Sequence, residues 1–119
     1  MSYKFLMMKP AVEMRSGSDF NEKTILQQDP AVVVSALSKL FPNLSWRQES
    51  DGRWFGSLEG EDTPYEFRVG AEPERAWSIH TSQQSQTPRL IRPVCEALGL
   101  VAFDGQASMI IGPKGEWPA

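Results

Sequence analysis

A chain of 119 residues with 40% apolar side chains, six Phe and four Trp carries enough apolar surface for one core without metal or disulfide staples. Its formal charge of −3 is not that of a phosphate-backbone binder, and a single Cys and a single His leave no internal disulfide and no zinc set. These counts predict one domain over residues 1–119, housed in a reducing cytoplasm and needing no cofactor; the order of its elements makes it α+β.

The first predicted element is a strand over residues 2–9. Tyr3, Phe5 and Met7 fall on one face and Leu6 and Met8 on the other. Apolar residues on both faces predict an interior strand. The opening MSYKFLMMKP is followed by Glu13 and Arg15 and has no small-residue cleavage site, so it does not read as a secretory signal. No apolar run reaches the ~20 residues of a membrane span. Residues 10–28 carry turn residues, with Val12 and Met14 able to extend the first strand and Thr24, Ile25 and Leu26 able to form a short one. A structureless loop this long is unusual, so it is expected to hide an element or do a job.

A helix follows over residues 30–41. Asp29 is a good N-cap and Pro30 suits the first helical position. Val33, Leu37, Leu40 and Phe41 make the apolar stripe, and Pro42 stops the helix. Four strands then alternate in quick succession: Leu44 to Glu49, Arg53 to Leu58, Tyr65 to Val69, and Trp77 to Thr81. Asp51-Gly52 predicts a two-residue hairpin turn. The connections are too short for crossover helices, so the four form an antiparallel meander. After a polar SQQSQ linker, Thr87-Pro88 repeats the cap-plus-proline start. Leu90, Ile91, Val94, Cys95 and Leu98 share one helical face; Pro93 inside it predicts a kink or a helix starting near Arg92. Gly99 is the expected C-cap. Leu100 to Phe103, Asp104-Gly105 and Ala107 to Ile111 read as a hairpin, with a tail in which Trp117 could fold back. The order strand, helix, four-strand meander, helix, hairpin predicts a two-layer sandwich: a mostly antiparallel sheet with both helices on one face.

Little catalytic chemistry is legible. The acidic run EGEDTPYEF lacks the ligand spacing of an EF-hand, and no phosphate-binding glycine pattern occurs. His80 is the one general base of the usual kind and points off the apolar face. Cys95 lies on the apolar side of its helix and reads as a small core residue. Trp54 and Phe55 are consecutive, so one of them faces away from the helices; an outward aromatic is a natural interface residue.

The two ends of the chain carry a resemblance. Met1-Ser2-Tyr3-Lys4-Phe5-Leu6 and Leu98-Gly99-Leu100-Val101-Ala102-Phe103-Asp104-Gly105-Gln106 resemble small uncharacterised bacterial proteins. Those begin Met-Ser-Tyr and end with a helix leading into a Leu-x-Val-Tyr-Asp-Pro-Gln-like motif, and several look like immunity proteins of toxin systems. Lys4 and Gly105 depart from that pattern. The resemblance implies a bacterial cytoplasmic protein that binds a partner.

Charge distribution suggests which partner. Residues 49–75 hold eight acidic and three basic side chains, which would suit a basic protein such as a toxin and repel nucleic acid. The expectation is a non-enzymatic protein-binding module, with Trp54, Glu59, Glu61, Asp62, Glu72 and Glu74 as contacts. The alternative is a small enzyme or small-molecule binder with a pocket between helices and sheet near His80, Asp104 and Gln106. A homodimer through the open sheet face or an edge strand is a third expectation.

Overall fold

The computed structural model describes residues 3–13, 17–19, 21–59, 64–82, 90–113 and 115–118. Among these residues nine strands and two α-helices follow in the order β1 (Tyr3–Pro10), β2 (Ile25–Leu26), α1 (Pro30–Leu40), β3 (Ser45–Gln48), β4 (Trp54–Glu59), β5 (Pro64–Val69), β6 (Ala76–Thr81), α2 (Ile91–Leu98), β7 (Val101–Asp104), β8 (Met109–Gly112) and β9 (Gly115–Pro118), with a 3-10 turn at Gly17–Asp19 between β1 and β2. Every pairing among them is antiparallel, and the sheet runs β3-β4-β5-β6-β1-β7-β8-β9, with β2 paired to the end of β1. This is the expected α+β sandwich. The first strand is interior, as its two apolar faces predict: it lies between β6 and β7.

One face of the sheet carries the main core. Phe5, Met7, Phe67, Ile79, Ala102 and Ile111 pack there against Val33 and Leu37 of α1 and Ile91, Val94 and Cys95 of α2. A smaller apolar cluster occupies part of the other face, where Met8, Val101 and Ile110 meet Ile25 of β2, with Leu6, Phe103 and Trp117 beside them. The 10–28 segment therefore does hide an element: β2 caps this second cluster.

Local chemistry explains the helix ends. Asp29 accepts from Ala31 N at 2.9 Å, with Pro30 in the first helical position. Of the two outcomes expected at Pro93, the structure shows the later start, beside Arg92. The helix begins at Ile91, so Pro93 falls in the first turn, where its missing N–H would have had no helical partner. Gly99 caps the helix in the left-handed conformation at φ 68°. The expected cap at Thr87-Pro88 lies outside the described residues.

Three turn and tail expectations are corrected. The Asp51-Gly52 hairpin has three loop residues, not two: Glu49 N donates to Arg53 O, Gly52 N donates to Glu49 O, and Gly52 takes φ 94°. That is a type I turn followed by a left-handed glycine. The β7–β8 connection spans four residues, 105–108, closed by the Asp104–Met109 pair, and its positive φ falls on Ser108 rather than Gly105. The tail is a strand, β9, rather than a loose end, and Trp117 does fold back, across from Ile110.

Gly56 marks a close approach. A Cβ built there would lie 2.9 Å from the Trp46 indole. That indole is fixed from two sides: Nε1 donates to Ser38 Oγ at 2.8 Å, and the ring meets Trp54 edge-on at 6.1 Å between centroids. A methyl must displace it, so Gly56→Ala is expected to cost about 1–3 kcal/mol, measured by urea unfolding.

Candidate functional site

The helices leave one sheet face uncovered over β3 to β6. Strand register defines what stands on it. One row crosses all eight strands: Arg47, Phe55, Arg68, Ser78, Leu6, Phe103, Ile110 and Trp117. A parallel row holds Ser45, Ser57, Glu66, His80 and Lys4. The apolar end of the first row belongs to the cluster capped by β2; the other end is polar and charged.

Three hollows open on this face. The largest, about 870 Å³, is lined on this face by Ser45, Ser57, Glu66 and His80 and wraps the strand ends to Leu58, Tyr65 and Thr81 of the helix side. A second, about 330 Å³, lies over Arg53, Phe55, Arg68 and Ser78. A third, about 350 Å³, is lined by His80, Phe103 and Gln106. His80 lines the first and third, and Lys4 and Leu6 line the second and third, so the third hollow shares a wall with each of the other two.

Phe55 is the outward aromatic. The Arg47 and Arg53 guanidinium carbons stand 5.1 and 5.6 Å from its ring centroid. Each arginine is held by a carboxylate two residues away. Arg47 meets Glu49 at 3.0 Å, Arg53 meets Asp51 at 2.7 Å, and Arg68 meets Glu66 at 3.3 Å. These pairs are solvent-exposed, so they fix side-chain direction more than they add stability.

Ser78 Oγ and His80 Nε2 lie 2.9 Å apart. Partial burial and the nearby Arg68 and Lys4 charges hold the imidazole below its ordinary pKa, against an opposing pull from Glu66. It is therefore neutral at pH 7 and can accept from the serine hydroxyl.

The residues singled out in the sequence are dispersed. Trp54 is half-buried on the helix side, packed against the main core, so it does not share the open face with Phe55. Glu59 is exposed at one end of β4, and Glu61 and Asp62 lie outside the described residues. Glu72 and Glu74 sit in the β5–β6 turn, at the opposite end of the six-residue β5. At about 3.3 Å per residue that separates them from Glu59 by roughly 20 Å. Glu74 also serves the turn: its backbone exchanges hydrogen bonds with Gln28, and its carboxylate occupies the space a Cβ on Gly70 would need.

The alternative trio splits similarly. His80 and Gln106 line one hollow on the open face, whereas Asp104 is buried on the other side. There its Oδ2 accepts from Tyr3 Oη at 2.7 Å and its Oδ1 from Gln106 N and Ala107 N at 3.1 Å. Tyr3 and Phe5 lie beside it, and the space between sheet and helices is filled by the main core to which they belong.

Cys95 is buried, with its thiol donating to Ile111 O at 3.6 Å, and burial pushes its pKa up to about 12. The thiol is expected to resist a disulfide reagent at pH 8 in the native protein and to react in full in 6 M guanidinium; rapid native labelling would contradict the packing. Among the described residues no three His, Cys, Asp or Glu side chains gather as metal ligands, and no helix is long and apolar enough to cross a membrane.

The structure thus defines the class as an α+β sandwich whose second sheet face is left open over β3 to β6 by the described residues. Comparison with protein-family models, curated proteins and solved structures finds no match.

Proposed function

We propose that the protein is a binding module that grips a protein partner with the bare face of β3 to β6. The observation that carries this reading is the set of neighbouring hollows beside Phe55, Arg68 and His80 on the sheet face that the helices leave open. A cleft edged by paired charges around an outward aromatic offers an apolar contact with a polar rim, the usual anatomy of a specific interface. The finer reading is a toxin-neutralising protein of a bacterial cytoplasm with a basic partner. The charge of residues 49–75 supports it, and Glu59 and Glu66 bring acid into the largest hollow.

The test is affinity capture from the native host, followed by binding measurements on the captured protein. Phe55→Asp and Glu66→Lys should each weaken binding at least tenfold, the first by removing the outward aromatic and the second by setting a positive charge against a basic partner, while leaving circular dichroism unchanged. Folded variants that bind as the wild type would reject the face. For the finer reading, expression of the captured partner alone should arrest growth and co-expression should restore it; a harmless partner rejects that reading only.

The Ser78–His80 contact favours a second reading, a small hydrolase. The nucleophile and base are within reach of each other, but Glu66, the carboxylate opposite His80 across the strand pair, is engaged by Arg68, so no third member is in place among the described residues. A fluorophosphonate probe that labels Ser78 would support this reading, and an unlabelled native protein would remove it.

A further inference from the structure

We infer that the outer edge of β3 pairs with the same edge of a second copy of this chain, with Gln48 on the two-fold axis. Nothing among the described residues pairs with that edge: β3 ends the strand order on one side and β9 on the other. The two edges differ. β9 carries Pro118, which lacks an N–H, whereas β3 (Ser45–Gln48) has no proline and lies exposed or half-buried throughout. An unpaired strand of this kind presents a row of donors and acceptors to another strand.

The direction of those donors follows from the hairpin. Glu49 turns both its N–H and its C=O inward, to Arg53 O and Gly52 N. Backbone direction alternates along a strand, so Arg47 and Ser45 also face β4, and the N–H and C=O of Trp46 and Gln48 point outward. An antiparallel pair that uses these outward groups must set even residues opposite even residues.

Charge then selects among the registers. With the axis at Arg47, two guanidinium groups would stand opposite each other. With the axis at Gln48, Arg47 stands opposite the partner's Glu49, and by symmetry the same contact forms twice. Each Arg47 already holds its own Glu49 at 3.0 Å, so the pairing builds an alternating row of four charges across the junction. Trp46 would face the partner's Ser50, whose small side chain leaves room for the indole. The two bare sheet faces would join into one surface. This inference does not depend on which partner that face binds.

A junction of a few backbone hydrogen bonds and two exposed ion pairs is small, so the dimer should be weak and concentration-dependent. Sedimentation from micromolar concentrations to about 1 mM is expected to show the mass rising from 13.3 kDa toward twice that value. Gln48→Pro removes an outward N–H that the chain's own ladder does not use, and it should hold the protein at the monomer mass. Arg47→Glu should do the same by setting like charges opposite each other, and the exchange Arg47→Glu with Glu49→Arg should restore the dimer. A mass fixed at 13.3 kDa throughout overturns the inference. So does a folded Gln48→Pro protein that dimerises as the wild type, or a folded charge-exchanged protein that stays monomeric. The charge series decides the matter if Gln48→Pro fails to fold.

Discussion

Asp104→Ala is expected to lower the unfolding free energy by about 2–4 kcal/mol, because it strips the acceptors from three donors at once. The carboxylate is 4% exposed. Its Oδ2 takes the Tyr3 hydroxyl proton at 2.7 Å, and its Oδ1 takes the Gln106 and Ala107 N–H groups that shape the β7–β8 turn. The two amides can turn to water, since residues 106 and 107 are exposed; the Tyr3 hydroxyl, 9% exposed, has little access to it. Asp104→Asn keeps an acceptor for the turn and should cost about half as much. Urea unfolding at pH 7 separates the three proteins, and an Asp104→Ala cost below about 0.5 kcal/mol would mean that water replaces the carboxylate.

The same contact predicts a loss of stability in alkali. Burial, reinforced by the Asp104 hydrogen bond and charge, raises the Tyr3 pKa from 10.0 to about 12. A group whose pKa is raised on folding contributes stability that is complete below its unfolded pKa and disappears as pH rises through the folded one. The Tyr3 contribution should therefore be intact at pH 9 and fall away between about 10 and 12. Tyr3→Phe should lose stability at pH 7 and show a shallower decline across that window; an unchanged slope would assign the alkaline loss to other groups.

What the sequence made legible was local or periodic. The caps at Asp29 and Gly99, the alternation of β5 and β6, and the double-sided apolar pattern of β1 all act within a few residues, and each appears in the fold as expected. The turn errors share one cause. An Asp-Gly pair marks where a chain reverses but leaves the loop length open, because strand register across the whole pair decides which residue takes positive φ. The site was less legible. Whether Trp54 or Phe55 faces outward depends on which face the helices cover, and neighbouring residues do not encode that. Grouping the acids by their place in the sequence put Glu59 beside Glu72 and Glu74, although a strand carries them to opposite ends of the sheet.

Gln28 was invisible for the same reason, and its replacement should be as damaging as that of Asp104. In the sequence it is one of two glutamines before a helix cap. In the fold it is 8% exposed, with its polar groups engaged by groups distant in the chain. Its Oε1 accepts from Trp77 Nε1 at 2.8 Å, while Nε2 donates to Met7 O at 3.2 Å and Arg75 O at 3.3 Å. The indole can only donate, which fixes the orientation of the amide. The backbone N–H donates to Glu74 O at 2.8 Å and the carbonyl accepts from Glu74 N at 3.3 Å. One residue thus ties the start of α1 to β1 and to the turn that feeds β6. Gln28→Met keeps the bulk and removes every side-chain hydrogen bond, leaving the Trp77 N–H buried without an acceptor; about 2–4 kcal/mol should be lost. Gln28→Glu restores the acceptor but places a carboxylate against two carbonyl oxygens. Its pKa should rise on folding, so this variant should gain stability as pH falls toward about 4, the reverse of an ordinary surface carboxylate. If Gln28→Met unfolds within 0.5 kcal/mol of the wild type and Gln28→Glu shows no such slope, the amide is a passive filler and the segment before α1 is held by its backbone bonds to Glu74 and by the packing of Ile25 and Pro30.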